Sequence, residues 1–162
     1  MQSRAAHELP REWPPIFAGG LAIAIGDIAF AISVWFDWNL AGLQRVFQSI
    51  AVGVLGRESF AGGWGTALLG AALHLFIATM FVLAAVFAGA RWPRVVRHPL
   101  AWGPMYGVVL YVVMNFIVMP LSRVGATPSF SRPWPIVLSI LAHMVFGVVA
   151  LWFARRSLRL GS

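Results

Sequence analysis

The chain contains no cysteine and no lysine, and only five of its 162 residues are acidic. Without cysteine it has neither disulfides nor thiolate metal sites. Charged residues make up 10% of the sequence, against roughly a quarter in a soluble domain, which excludes an ordinary solvated globular surface. The motifs of soluble enzymes are also missing. GWGTALLG carries glycines but has neither G-x-G-x-x-G nor P-loop spacing, so no phosphate cradle is expected. Ser59 follows Glu58 in ESF with no base beside it and no nucleophile-elbow pattern. His98 in RHP reads as a loop histidine. The chain is expected not to be an enzyme.

What fills the sequence instead is apolar length. Hydrophobic residues make up 60% of it, gathered in four blocks at about 16–36, 66–90, 100–120 and 134–154. Each is long enough, at 1.5 Å per residue, to cross a hydrocarbon core of ~30 Å. The first is too long for a signal-peptide core and no small-residue cleavage site follows it, so it is expected to stay as an anchor. The expected fold is all-α: a polytopic membrane protein, one domain over 1–162, built as a four-transmembrane-helix bundle with an outer-face amphipathic helix between spans one and two.

The net charge of +7 comes from arginine alone, and the arginines stand at block ends rather than in a patch, which argues against nucleic acid as a partner. Arg4, Arg11, Arg91, Arg94, Arg97, Arg155, Arg156 and Arg159 fall on one side; Arg45, Arg57, Arg123 and Arg132 fall on the other. The positive-inside rule then places both termini in the cytoplasm, and the expected location is the bacterial inner membrane. The eight tryptophans lie near span ends, as indole rings at the headgroup level do.

In the longest connection, Asp37–Gly65, the residues Leu40, Leu43, Phe47, Ile50 and Val54 recur at helical steps with Gln44, Arg45 and Gln48 between them. A helix over about 39–55 is expected on the outer face, either seated in the interface or serving as a lid or docking element. Glycines at 56, 62, 63 and 65 should end it and turn the chain into span two. The basic inner connection RWPRVVRHP faces anionic headgroups, and RVGATPSFSRPWP reads as an extended turn entering span four.

Lipid gives helices no hydrophobic reason to associate, so small residues mark close backbone approach and polar ones mark hydrogen bonds between helices. The steps Gly20, Ala24, Asp27, Ala31 mark span one, and Ala67, Ala71, His74, Ala78, Ala85 mark span two. Gly103, Gly107, Tyr111, Asn115 mark span three, and Ser139, His143, Gly147, Ala150, Ala154 mark span four. Asp27, His74, Tyr111 and His143 each lie about nine residues, or roughly 14 Å, from the outer end of their span, with Asn115 about one turn nearer the surface. One intramembrane polar layer near the midplane is the expectation.

Ionisable groups at that depth cost several kcal/mol and are candidates for function. Several readings of the layer stay open. Asp27, His74 and His143 can be three ligands of a metal ion, or the two histidines can hold a haem. The same groups can relay protons or cations. They can also be hydrogen-bonded glue between helices, at about 0.6 kcal/mol per contact.

The layout resembles a group of uncharacterised bacterial four-span inner-membrane proteins, the YagU-like family among them. The resemblance is carried by RVFQSIAVGVLGRESFAGG, ALHLFIATMF, GPMYGVVLYVVMNFIVMPLSR and AHMVFG. It implies fold and location and brings no catalytic residue with it. Small multidrug exporters resemble the chain in layout alone, with four spans and one embedded acid in the first. The expected function is a non-catalytic accessory or structural role in the bilayer, as a homo-oligomer or within a larger membrane complex. The alternatives are proton, ion or small-solute transport through the Asp/His layer, and metal or haem binding by His74 and His143.

Overall fold

The computed structural model describes residues 12–125 and 133–160. Within them the chain is all-α, and four helices are long and apolar enough to cross a membrane. The first is α1 (Pro14–Trp35), and the second is α3 (Gly63–Arg91). The third comprises α5 (Pro99–Val113), a π-helical turn over Met114–Val118 and a last helical turn, α6 (Met119–Leu121). The fourth is α7 (Pro133–Ser157). Each span agrees with its expected limits to within three residues. Between spans lie α2 (Leu40–Leu55) and the short α4 (Pro93–Arg97).

Local chemistry sets these limits. Proline occupies the first turn of α1, α4 and α5, where its missing N–H would have no partner in any case. Asn39 caps α2 by accepting from the Gly42 N–H at 2.8 Å. At its other end Gly56, with φ +73°, takes a backbone that side-chain-bearing residues avoid. A 3₁₀ turn over Gly56–Ala61 follows before α3 begins. Gly65, read as part of this break, lies inside α3. In the third span Pro120 has no N–H to return to Phe116, and the wide turn over Met114–Val118 sits directly before it.

The helices meet along the small-residue faces. The α5–α7 contact is a glycine seam in which a Cβ on Gly103 would strike the Val148 backbone and one on Gly107 the His143 carbonyl. A Cβ on Gly147 would strike the backbones of Gly103 and Gly107 in turn. Gly20 lies against Thr79 and Gly19 against Phe153, joining α1 to α3 and α7. Backbones this close gain dispersion contacts that lipid chains cannot match.

Packing is uneven along the bundle axis. At the end marked by Arg91, Arg94, Arg97, Arg155, Arg156 and Arg159, a continuous core joins Ile16, Ile23, Val82, Val86, Leu151 and Leu158, with Val96 of α4 fully buried beneath Gly89. Glu12 ties the start of α1 into this end: its carboxylate pairs with Arg159 and its carbonyl accepts from the Ser157 hydroxyl at 2.7 Å. Toward the opposite end α2 packs against α3. Arg4, Arg11 and Arg132 of the charge pattern, like Ala126–Arg132 of the extended turn, lie outside the described residues.

The buried face of α2 differs from the one its periodicity predicts. Leu40 is 72% and Val54 53% exposed, whereas Gly42, Val46, Gln48, Ala51 and Val52 are buried. The reason is steric and polar together. Gly70 of α3 lets the Phe47 carbonyl approach so closely that a Cβ there would collide with it, and only small side chains fit on that side of α2. Gln48, which falls between the apolar positions of the pattern, donates to the carbonyl of Gly63 at 3.1 Å and meets the Thr66 hydroxyl at 3.3 Å. Ser59 donates to the Gln48 carbonyl and Thr66 to the Ser59 carbonyl, closing a polar knot that fixes α2 on α3.

Gly147→Leu is expected to force α5 and α7 apart at a cost of about 1–3 kcal/mol or more, the usual penalty of overpacking. Gly65→Leu should be near-neutral, because nothing stands within 4 Å of its missing Cβ. Thermal unfolding of both variants in one detergent measures the difference.

Candidate functional site

The axial imbalance leaves a cavity of about 270 Å³ between the spans. Its upper walls are Ser49, Ile50 and Gly53 of α2 with Ser122 and Val124 beyond α6. Its deeper wall carries Asp27, His74 and His143, and its floor includes Ile23 and Ala78 of the packed core. Three of the five residues expected in one polar layer therefore share one chamber, brought there by α1, α3 and α7.

Asp27 and His74 are in contact. The His74 Nε2 stands 3.5 Å from the Asp27 Oδ2 and 3.3 Å from the Ala24 carbonyl oxygen. Both neighbours are acceptors, so Nε2 carries the hydrogen and shares it between them. The Asp27 side chain is 31% exposed against 13% for His74, which makes the carboxylate the more accessible member of the pair. The Ala24 contact also follows from α1 itself: Ala24 is one turn before Asp27 on the same face, and its carbonyl is within reach of a ring crossing from α3.

His143 is held differently. Its Nδ1 donates to the Ser139 carbonyl one turn earlier in α7 at 2.8 Å. That bond fixes the ring tautomer and leaves Nε2 with a lone pair when the ring is neutral. Two aromatic edges wedge the ring in place: Tyr111 at 5.4 Å and 86°, and Phe146 at 5.8 Å and 62°. Tyr111 is buried and acts on the site through this contact rather than from the cavity wall. Asn115 belongs to neither group. It stands in the π-helical turn and its side chain donates to the Tyr111 carbonyl of its own helix at 3.0 Å, so it bonds within one span and not across to another.

The three-ligand metal expectation does not fit this geometry. Among the described residues no three His, Cys, Asp or Glu side chains are grouped closely enough to hold one metal ion. Asp27 and His74 are paired while His143 faces them from another wall. Haem does not fit either, since a chamber of about 270 Å³ falls below the ~300–1,000 Å³ typical for drug-sized ligands, which are smaller than a macrocycle.

Sequence reasoning passed over Ser49 and Ser122, which line the cavity because α2 and the turn after α6 fold over it. The joint between those segments is visible in the Arg123 N–H, which donates to the Gly53 carbonyl at 2.9 Å. It also passed over Tyr106, whose hydroxyl donates to the Phe81 carbonyl at 2.7 Å and ties α5 to α3. A tyrosine on a glycine-marked helix carries no signal of which backbone it will meet. On the other side of His74 lies a second hollow, an apolar groove of about 430 Å³ between α1 and α3 that is roofed by Trp38, Leu43 and Phe47. The ring of His74 is the partition between the two.

No family model, curated protein or solved structure matches the chain. The chemistry of the site therefore rests on its own groups: an acid and an imidazole in contact, a second imidazole in the same cavity, and the space of about 270 Å³ that they line.

The Ser139 bond predicts that ¹⁵N-labelled His143 in bilayers at neutral pH gives the spectrum of a ring protonated at Nδ1 and bare at Nε2. A ring protonated at Nε2 alone would contradict the hydrogen-bond arrangement.

Proposed function

We propose that the chain is a small carrier of the bacterial inner membrane that moves a proton, an ion or a small solute through the cavity at Asp27, His74 and His143. One observation carries this reading. An acid and an imidazole touch each other at mid-span and both line an internal space, rather than being packed away from it. Glue between helices needs no such space. An aspartate at mid-bilayer costs about 2.5–3.5 kcal/mol on insertion scales, and a single weak contact with His74 returns only part of that.

The shape suits a carrier with one side closed. Toward the arginine end the path ends on Val82, Val86 and Leu151, all fully buried. Toward α2 the walls are Ser49, Gly53 and Ser122, which are short side chains beneath a helix fastened at Gln48 and Gly53. Passage requires α2 and the core to loosen in alternation, with the Asp27–His74 pair taking up a proton in one arrangement and losing it in the other. A bundle of four spans is slim for a pathway, so a homo-oligomer is part of this proposal, as is kinship with the YagU-like proteins. The accessory reading would use the outward faces of Leu40 and Val54 as a docking edge, which contact with headgroups and acyl chains explains equally well.

In proteoliposomes under an imposed pH gradient, the parent protein should dissipate the gradient, and Asp27→Asn should remain folded and lower the rate at least ~10-fold. Undiminished flux in the variant, or none in the parent, would overturn the proposal. Orientation has its own test, made simple by the lack of native cysteine. In intact cells Arg123→Cys should react with a membrane-impermeant maleimide and Arg94→Cys should react only after lysis.

A further inference from the structure

The polar groups that line the cavity are Asp27, Ser49, His74, Ser122 and His143, and the fate of each of their hydrogens can be followed. Ser49 donates to the Val46 carbonyl at 2.7 Å and Ser122 to the Met119 carbonyl at 2.8 Å. The His74 Nε2–H lies between the Ala24 carbonyl and Asp27, and the His143 Nδ1–H is given to Ser139. The Asp27 carboxyl stands against the His74 Nε2–H. Every hydrogen is thus committed within the protein.

The lone pairs remain: the Asp27 carboxylate, the His74 Nδ1 and the His143 Nε2. Among the described residues no buried side-chain nitrogen or oxygen lacks a partner, so the two ring nitrogens without a hydrogen bond there are accessible; the His143 ring lines the cavity, and the His74 ring lines both the cavity and the neighbouring groove. Among the described residues no arginine, tyrosine, asparagine or tryptophan stands in its wall. As those residues form it, the chamber is rich in acceptors, has one carboxyl group and is otherwise apolar.

We infer that the cavity binds a small organic ammonium ion, a primary or secondary amine in its protonated form with a compact apolar body. This inference names the solute for the carrier proposed above and rests on that reading. An ammonium group offers two or three N–H donors to three acceptors and a positive charge to the carboxylate, while its hydrocarbon part meets Ile50, Ile77, Phe81 and Leu110. An anion would find no free side-chain donor among the described residues of the wall. A bare inorganic cation would exchange its hydration shell for imidazole nitrogens and hydrocarbon, which suit hard cations poorly. Size is bounded as well: at ≈ 30 Å³ per water, a volume of about 270 Å³ corresponds to roughly nine waters, hence a ligand of about nine or ten non-hydrogen atoms. Among the described residues the ionisable side chains in the cavity wall are Asp27 from α1, His74 from α3 and His143 from α7.

The test uses full-length protein in lipid nanodiscs and two probes of equal shape, 2-phenylethylammonium and 2-phenylethanol, titrated by calorimetry. The ammonium should bind saturably and at least about tenfold more tightly than the alcohol, as charge-assisted bonds to a carboxylate require. Asp27→Asn should lower that affinity at least about tenfold. Ile50→Trp, which fills the space beneath α2 without touching the charged pair, should abolish it, and decides the matter if the Asp27 variant does not fold. Equal binding of the two probes, or full binding by Ile50→Trp, overturns the inference. If neither probe binds while the parent still dissipates a pH gradient, the amine falls and the proton pathway stands; if flux is also absent, both fall.

Discussion

The glycine seam between α5 and α7 is the contact on which the rest of the structure depends. In lipid two helices gain from meeting only what their surfaces gain by close fit, and Gly103, Gly107 and Gly147 let two backbones touch where any side chain would hold them apart. The seam does more than join a pair. Gly107 sits directly beneath the His143 carbonyl, so the contact that locks α5 to α7 also fixes the height and rotation of His143. Tyr111, one turn beyond Gly107, is thereby placed against the imidazole ring. A packing device with no chemistry of its own sets one wall of the site.

The site owes its existence to unequal packing along the axis. Large aliphatic side chains interlock at the arginine end, around Ile16, Val82, Val86 and Leu151. Toward α2 the inward positions are held by Asp27, His74 and His143, which cannot interlock in that way, and a cavity remains. The bilayer then imposes its own rule on that cavity. Backbone and side-chain hydrogens must find partners inside the protein, and they do, through Ser139, Ala24, Val46 and Met119. The same satisfaction that makes the fold tolerable in hydrocarbon leaves acceptors as the free polar groups among the described residues of the chamber, which is the basis of the proposed preference for a donor-bearing cation.

The roof is the part in which polar side chains replace glycine as the fastening. Gln48, Ser59 and Thr66 bind α2 to the start of α3, and Arg123 joins the third span to Gly53. The bonds of Gln48 fasten the middle of α2 and the one to Gly53 its last turn, and Ser49, Ile50 and Gly53 line the cavity below.

Much of this was legible in the sequence. The four spans, the amphipathic helix with its start near Asn39, and the small-residue faces all follow from apolar length, capping chemistry and helical spacing, which are properties of a segment and its solvent. The meeting of Asp27 with His74 could be anticipated too, because each lies at the same depth on a small-residue face and neither can face lipid. Only the tertiary structure decided that His143 would stand apart from that pair, that Asn115 would turn back onto its own helix, and that α2 would bury Val46 and Gln48 in place of Leu40 and Val54. Those outcomes depend on how far one backbone lies from another: on Gly70 admitting the Phe47 carbonyl, on Gly107 meeting His143, and on a carbonyl of α1 lying within 3.3 Å of a ring from α3. Periodicity fixes which face a residue occupies, but the distance between two faces is a property of the pair, and that distance determines whether a hydrogen bond, an ion pair or an empty space results.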